Sequence, residues 1–307
     1  MITVLAGGVG AARFLEGLVA VVEPAEVTAI VNTGDDTTFH GLHVSPDLDI
    51  VMYTLAGLVE PSQGWGVRGD SYNCLEMLAS YGRETWFLLG DRDLATHIAR
   101  TDLLRQGLPL SEATDRLRQA LGIGVRLLPM TDDPVGTRIR TPDGVLPFQD
   151  YFVRRRAEPE VEEVIYAGMA EARPGPGVLE AIETAGVVIL CPSNPLVSLG
   201  TILAIPEIRP ALRAARARRL AISPIVAGGT IKGPADRTMR GLGWEVSAYG
   251  VADAFRDILD VMVIDWADAD LAERIGVLGL KVVVADTIMR DAEAKAALAR
   301  VVLEALE

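Results

Sequence analysis

Six short apolar runs in this chain each stop at a polar or glycine-rich turn: after Ala6, Val31, Leu89, Pro129, Leu190 and Ile222. Runs of four or five apolar residues bounded by such turns read as strands buried on both faces of a parallel sheet. Helical patterns separate most of them, beginning with Phe14, Leu15, Leu18 and Val22 after the first turn. Strand, turn, helix, repeated, predicts an α/β chain with a doubly wound, Rossmann-like, mostly parallel sheet. Sheets of this class bind ligands beyond the carboxyl ends of their strands, so the six turns predict one long crevice.

The expected strands are Ile2–Ala6, Val27–Val31, 86–89, 125–129, Val187–Leu190 and 220–223, then Val261–Asp265 and 282–286, with a closing amphipathic helix over 293–306. Helices over 94–106 and 111–121 follow one another without a strand between them, and 137–140 with 145–148 reads as a hairpin. The alternation therefore predicts a core of 1–93 and 161–307, interrupted by a helical and hairpin insertion over 94–160 that serves as a lid or dimer contact.

The turns carry the chemistry. Gly7-Gly8-Val9-Gly10 suits close approach of a phosphate to a helix N-terminus, and is equally an ordinary glycine turn between strand and helix. Asn32-Thr33-Gly34-Asp35-Asp36 crowds polar groups at a strand end, a dozen residues before Ser45-Pro46-Asp47-Leu48-Asp49. There Ser45 suits an N-cap and Pro46 the first helical position. Asp47 and Asp49 leave that helix in nearly opposite directions, so they do different jobs. Dipole compensation accounts for Asp47 and less well for Asp49, which is the stronger site candidate. Gly90-Asp91-Arg92-Asp93 either offers Arg92 to an anion or pairs its charges locally. Met130-Thr131-Asp132-Asp133-Pro134 is another acidic turn. Pro192-Ser193-Asn194-Pro195 through Ser198 forms a rigid polar shelf suited to a nucleotide. Gly228-Gly229 with Lys232 resembles an anion cradle without being a P-loop. His40 and His43 read as exposed loop histidines, and Cys191 as a small buried residue.

Carboxylates beside glycine turns are what a magnesium-assisted phosphoryl or phosphodiester transfer uses. A net charge of −13 over 307 residues argues against nucleic-acid or anionic-membrane partners. No apolar run approaches the roughly 18–20 residues of a membrane span, no export signal opens the chain, and two cysteines make no disulfide framework. A cytoplasmic location is expected.

In order, the blocks at Gly7, Asn32, Ser45, Gly90, Met130, Pro192, Ser223-Pro224-Ile225 and Lys232-Gly233-Pro234-Ala235 resemble those of the 2-phospho-L-lactate transferases of coenzyme F-420 biosynthesis, essentially end to end. The resemblance implies transfer of a phospholactyl or phosphoenolpyruvyl group from a guanosine diphosphate-linked donor to the deazaflavin alcohol FO, with GMP leaving and Mg2+ assisting. Asp49 matches the family's FO-binding aspartate. The place of its second, basic FO contact is held by Leu88, which shifts that contact to Arg92 or to backbone. Ala11-Ala12-Arg13 after the glycine turn resembles the bacterial branch. The implied chemistry is attack by the FO ribityl hydroxyl on the phosphorus distal to guanosine, with Asp49, Asp36 and Asp47 as catalytic candidates and Asp49 and Asp36 as metal ligands. The donor is implied to contact Gly7, Gly8, Gly10, Asn32, Thr33, Pro192, Ser193, Asn194, Ser198 and Lys232. The rival reading is a nucleotide-sugar-binding regulatory protein of the gluconeogenesis-factor type, which shares the glycine opening and the Asn32 block.

Overall fold

A computed structural model describes residues 1–306. The chain begins β1 (Ile2–Ala6), α1 (Gly8–Leu18), β2 (Val27–Val31), then a small hairpin of β3 (Thr37–Phe39) and β4 (Leu42–Val44). Helices α2 (Pro46–Leu55), α3 (Asn73–Ser80), α4 (Asp91–Arg105) and α5 (Leu110–Ala120) lead to β5 (Arg126–Pro129). The antiparallel strands β6 (Gly136–Thr141), β7 (Gly144–Pro147) and β8 (Glu163–Ala167) follow. Next come α6 (Val178–Glu183), β9 (Val187–Leu190), α7 (Leu199–Leu203), α8 (Ile208–Ala214) and β10 (Arg218–Ile222). A two-residue pairing of β11 (Ile225–Val226) with β12 (Gly229–Thr230) precedes α9 (Ala235–Gly241) and α10 (Ala248–Phe255). The chain closes with β13 (Val261–Asp265), α11 (Ala272–Gly276), β14 (Lys281–Ala285) and α12 (Ala292–Ala305).

Seven strands form one all-parallel sheet in the order β14-β13-β10-β9-β1-β2-β5, as the alternation predicts. All five residues of β1, β2 and β13 are buried. Alternate side chains of β1 feed separate cores: Leu5 joins Ile30, Val188 and Leu190 on one face, Val4 and Ala6 join Ala29, Val31 and Ile189 on the other. From β1 the chain builds outward through β2 to β5, and later returns to β1's other side with β9. The topological switch point therefore lies between β1 and β9, which brings the Gly7–Gly10 and Cys191–Ser198 turns side by side.

Two expectations are corrected. Residues 86–89 form no strand. Trp86 and Phe87 instead pack their rings on Phe39, at centroid distances of 5.4 and 5.7 Å, in a small cluster with Val44, Leu89 and Leu94. A four-residue apolar run has no periodicity to distinguish pairing from packing. The 94–160 stretch does not leave the sheet as one insertion, because β5 lies inside it and forms the sheet's edge against β2. The three-stranded β7-β6-β8 layer, reaching to residue 167, stands apart from the main sheet.

At the switch point α1 approaches the neighbouring turn so closely that a methyl group on Gly10 would lie 2.1 Å from the Pro192 carbonyl oxygen. Gly10→Ala should cost about 1–3 kcal/mol in urea unfolding, since both partners are backbone. An unchanged unfolding midpoint would contradict this close approach.

Candidate active site

Asp47 sits at the centre of the crevice. One oxygen accepts the Gly8 N–H at 2.9 Å, the other the Asn32 side-chain amide at 2.9 Å. The same Asn32 amide lies 3.4 Å from the Val197 carbonyl, and a methyl on Gly7 would stand 2.7 Å from both the Asp47 carboxylate and Ser198 Cβ. Four segments remote in sequence thus meet: the turns after β1, β2 and β9, and the start of α2. The glycine turn, which the sequence left between a phosphate cradle and an ordinary βα turn, holds a carboxylate of the protein's own at the α1 N-terminus.

Around Asp47 the acids are crowded and dry. Burial, reinforced by the Asp47 charge, pushes the Asp35 carboxyl well above the ordinary carboxylate range, against the opposing pull of nearby Asn32 and Thr137. Burial also raises Asp36, against the pull of His43 and Ser45, and raises Asp47 to about 6. Asp36 Oδ2 receives His43 Nε2 at 2.9 Å and the Ser45 hydroxyl at 2.8 Å. Ser45 therefore precedes α2 as expected, but its hydroxyl serves Asp36 rather than capping the helix. His43 is half-buried on β4 instead of loose in a loop. Four buried oxygens in these turns have no partner among the described residues: Thr33 Oγ1, Asp35 Oδ1, Asp36 Oδ1 and Ser193 Oγ. Among the described residues no three His, Cys, Asp or Glu side chains are arranged to hold a metal ion unaided.

Asn194 shapes the shelf by accepting the Leu196 and Val197 amides at 2.9 and 3.2 Å. Cys191 is buried, and burial raises its thiol above the usual range. Lys232 donates to the Gln63 carbonyl at 2.7 Å.

Asp49 leaves α2 on a different side, as its spacing from Asp47 requires. Its two oxygens meet the two terminal nitrogens of Arg100, at 3.2 Å for one contact and in a shorter one through Nη2. Arg100 is fully buried; burial alone would lower its pKa, but the Asp49 charge and hydrogen bonds raise it. His97, 1% exposed, stands 3.6 Å from Asp49 through Nδ1 and 3.2 Å from Asp93 through Nε2. The Tyr53 hydroxyl donates to Asp93 at 2.6 Å; burial, then the Asp49 and Asp93 charges, hold that phenol far above its ordinary value. Sequence reading missed His97 and Arg100. The signal was present: Asp93, His97 and Arg100 recur at spacings of four and three, a polar stripe on one face of α4.

The Gly90 turn is more structural than expected. Asp91 accepts the Cys74 backbone amide at 2.9 Å, the Asn73 side-chain amide at 2.8 Å and the Ser71 hydroxyl at 2.7 Å, contacts that hold its carboxyl at about 2. Asp70 receives the Arg92 and Asp93 amides at 2.8 and 3.1 Å, and the exposed Arg92 guanidinium donates to the Arg68 carbonyl. Leu88 is 49% exposed, and neither it nor Arg92 bonds to Asp49. The acidic turn after β5 is also tied down, Asp132 taking the Ser111 amide and hydroxyl at 2.7 Å each.

Truncating one partner of a buried ion pair leaves the other charge uncompensated. Arg100→Met should therefore cost about 3–5 kcal/mol in chemical unfolding. A loss below about 1 kcal/mol would show that Asp49 does not depend on this guanidinium.

The model of the family described as 2-phospho-L-lactate transferase CofD matches residues 2–304. The chain is 45% identical to a phosphoenolpyruvate transferase of Streptomyces griseus over 100% of this chain and 98% of the relative. It is 38% identical to a 2-phospho-L-lactate transferase of Methanosarcina mazei over 98% of this chain and 99% of the relative. A crystal structure of a upf0052-family protein from Bacillus halodurans shares the fold, with a TM-score of 0.66 at 17% identity, covering 98% of each chain. The chain belongs to the 2-phospho-L-lactate transferase family.

Proposed function

We propose that this chain transfers a phospholactyl or phosphoenolpyruvyl group from a guanosine diphosphate-linked donor to FO, releasing GMP. The observation that carries the reading is the end-to-end family match, on a chain whose carboxylates converge at the switch point. The FO terminal hydroxyl forms the new O–P bond at the phosphorus distal to guanosine. The bridging P–O bond breaks and its electrons leave on GMP. Asp47, raised to about 6 and placed between the β1, β2 and β9 turns, is suited to receive the hydroxyl proton. Asp49 orients FO, its carboxylate fixed from behind by Arg100 and His97. Ser193 and Thr33, whose buried hydroxyls have no protein partner, serve the donor.

The free oxygens Asp35 Oδ1 and Asp36 Oδ1 suit Mg2+, which is commonly held by one or two carboxylates together with substrate phosphates and water. Asp49, engaged on both oxygens, fits the metal role expected of it less well than Asp35 does. Bound there, the ion supplies positive charge against the transferring phosphoryl group. The gluconeogenesis-factor reading is disfavoured because the family match covers the whole chain, and the likeness to the Bacillus halodurans protein is one of fold.

Purified protein given FO, donor and Mg2+ should form the FO phosphodiester, and chelation should stop it. Asp49→Ala should raise the FO KM at least about tenfold. Near wild-type kinetics in a folded variant would remove Asp49 from the site. A proton acceptor with its pKa raised to about 6 is protonated, and idle, below that pH. Turnover should accordingly fall as pH drops through about 6, and Asp47→Asn should be slow and lose that inflection. An unchanged profile in Asp47→Asn would exclude the role.

A further inference from the structure

Because Asp47 occupies the α1 N-terminus, the donor's negative charge needs other cations. One turn into α1, Arg13 points to the same place as Lys232 from the loop after β12. A methyl placed on Gly64 would stand 3.3 Å from Lys232 Nζ, 3.8 Å from Arg13 Nη2 and 3.3 Å from Val9 Cγ1. Among the described residues neither cation forms an ion pair with a carboxylate, although acids outnumber bases 42 to 29 in this chain. Their protein partners are neutral: Arg13 Nη1 reaches the Met289 carbonyl at 3.4 Å, and Lys232 Nζ the Gln63 carbonyl at 2.7 Å. Two like charges side by side, answered only by carbonyl oxygens, repel one another. Burial, with the Arg13 charge added, lowers the Lys232 pKa. An anion bridging both would relieve that repulsion, and an Arg fork beside a Lys point charge suits phosphate or carboxylate oxygens.

Against the pair lies a strap. Residues 58–68 double back through a Val59–Val67 bridge and the Glu60 amide on the Gly66 carbonyl at 3.1 Å, with Gly64 and Gly66 at φ of +75° and +71°. The strap's Gln63 carbonyl holds Lys232, and Trp65 beside it is 39% exposed. We propose that Arg13 and Lys232 form an anion subsite for the donor's phosphate or carboxylate oxygens, and that the 58–68 strap gives up its hold on Lys232 when that anion binds. The proposal rests on the transferase reading above.

The test is steady-state transfer to FO by wild type, Arg13→Gln and Lys232→Met, with Arg13→Lys and Lys232→Arg as charge-keeping controls. The neutral variants should raise the donor KM about tenfold or more and leave the FO KM within about twofold, while the controls stay near wild type. A donor KM within about twofold of wild type in a folded neutral variant overturns the subsite. Lys232 is exposed, so its variant carries the test if Arg13→Gln does not fold. If wild type itself moves nothing to FO, the transferase reading falls and this subsite with it. Tryptophan emission, read against Trp65→Phe, identifies the anion and the strap together. A Trp65-dependent change with GDP assigns the subsite to the diphosphate, and one with phosphoenolpyruvate alone assigns it to the three-carbon acid. No change with either overturns the strap's movement.

Discussion

The carboxylate of Asp47 is the joint on which the crevice is built. It ties the first turn of α1 to the end of β2, and through Asn32 to the loop after β9, so three strand ends are registered against one side chain. The location also explains the glycines. Gly7 makes room for Asp47 and Ser198, and Gly10 for the Pro192 carbonyl. In a dinucleotide fold the same position admits a phosphate. Here a protein acid fills it, and burial beside Asp35 and Asp36 raises its carboxyl to about 6.

That arrangement divides the labour among four aspartates along one short stretch of chain. Asp35 and Asp36 keep one unpartnered oxygen each in the crevice. Asp47 binds backbone and Asn32 on both oxygens. Asp49, half a turn further on, turns to the α4 side and meets Arg100, His97 and, at one remove, Asp93 and Tyr53. The two groups share a helix, so a shift of α2 would move both the Asp47 joint and the Asp49 anchor.

Much of this was legible from residue order. Mostly or fully apolar runs such as Val27–Val31 and Val187–Leu190 announced a doubly covered parallel sheet, and the polar turns after them announced the crevice. The opposite exits of Asp47 and Asp49 followed from helical geometry alone. What escaped were features fixed by tertiary packing. Nothing local distinguishes the 86–89 run, which packs on Phe39, from a strand. Nor could the partner of Asp49 be named, because Arg100 lies 51 residues away on a helix whose polar stripe reads as solvated until a buried acid faces it. The glycine turn suggested phosphate because sequence shows the vacancy and not the carboxylate that fills it.

The central claim is that transfer occurs at the β1–β9 switch point. Diffraction from crystals grown with FO and GDP tests it most directly. The account predicts both ligands beyond the carboxyl ends of β1, β2 and β9, with FO against Asp49 and the nucleotide along Pro192–Ser198. Ligand density instead at the opposite end of the sheet, by the amino ends of β10, β13 and β14 in the groove lined by Arg216, Arg218, Asp260 and Lys281, would contradict it.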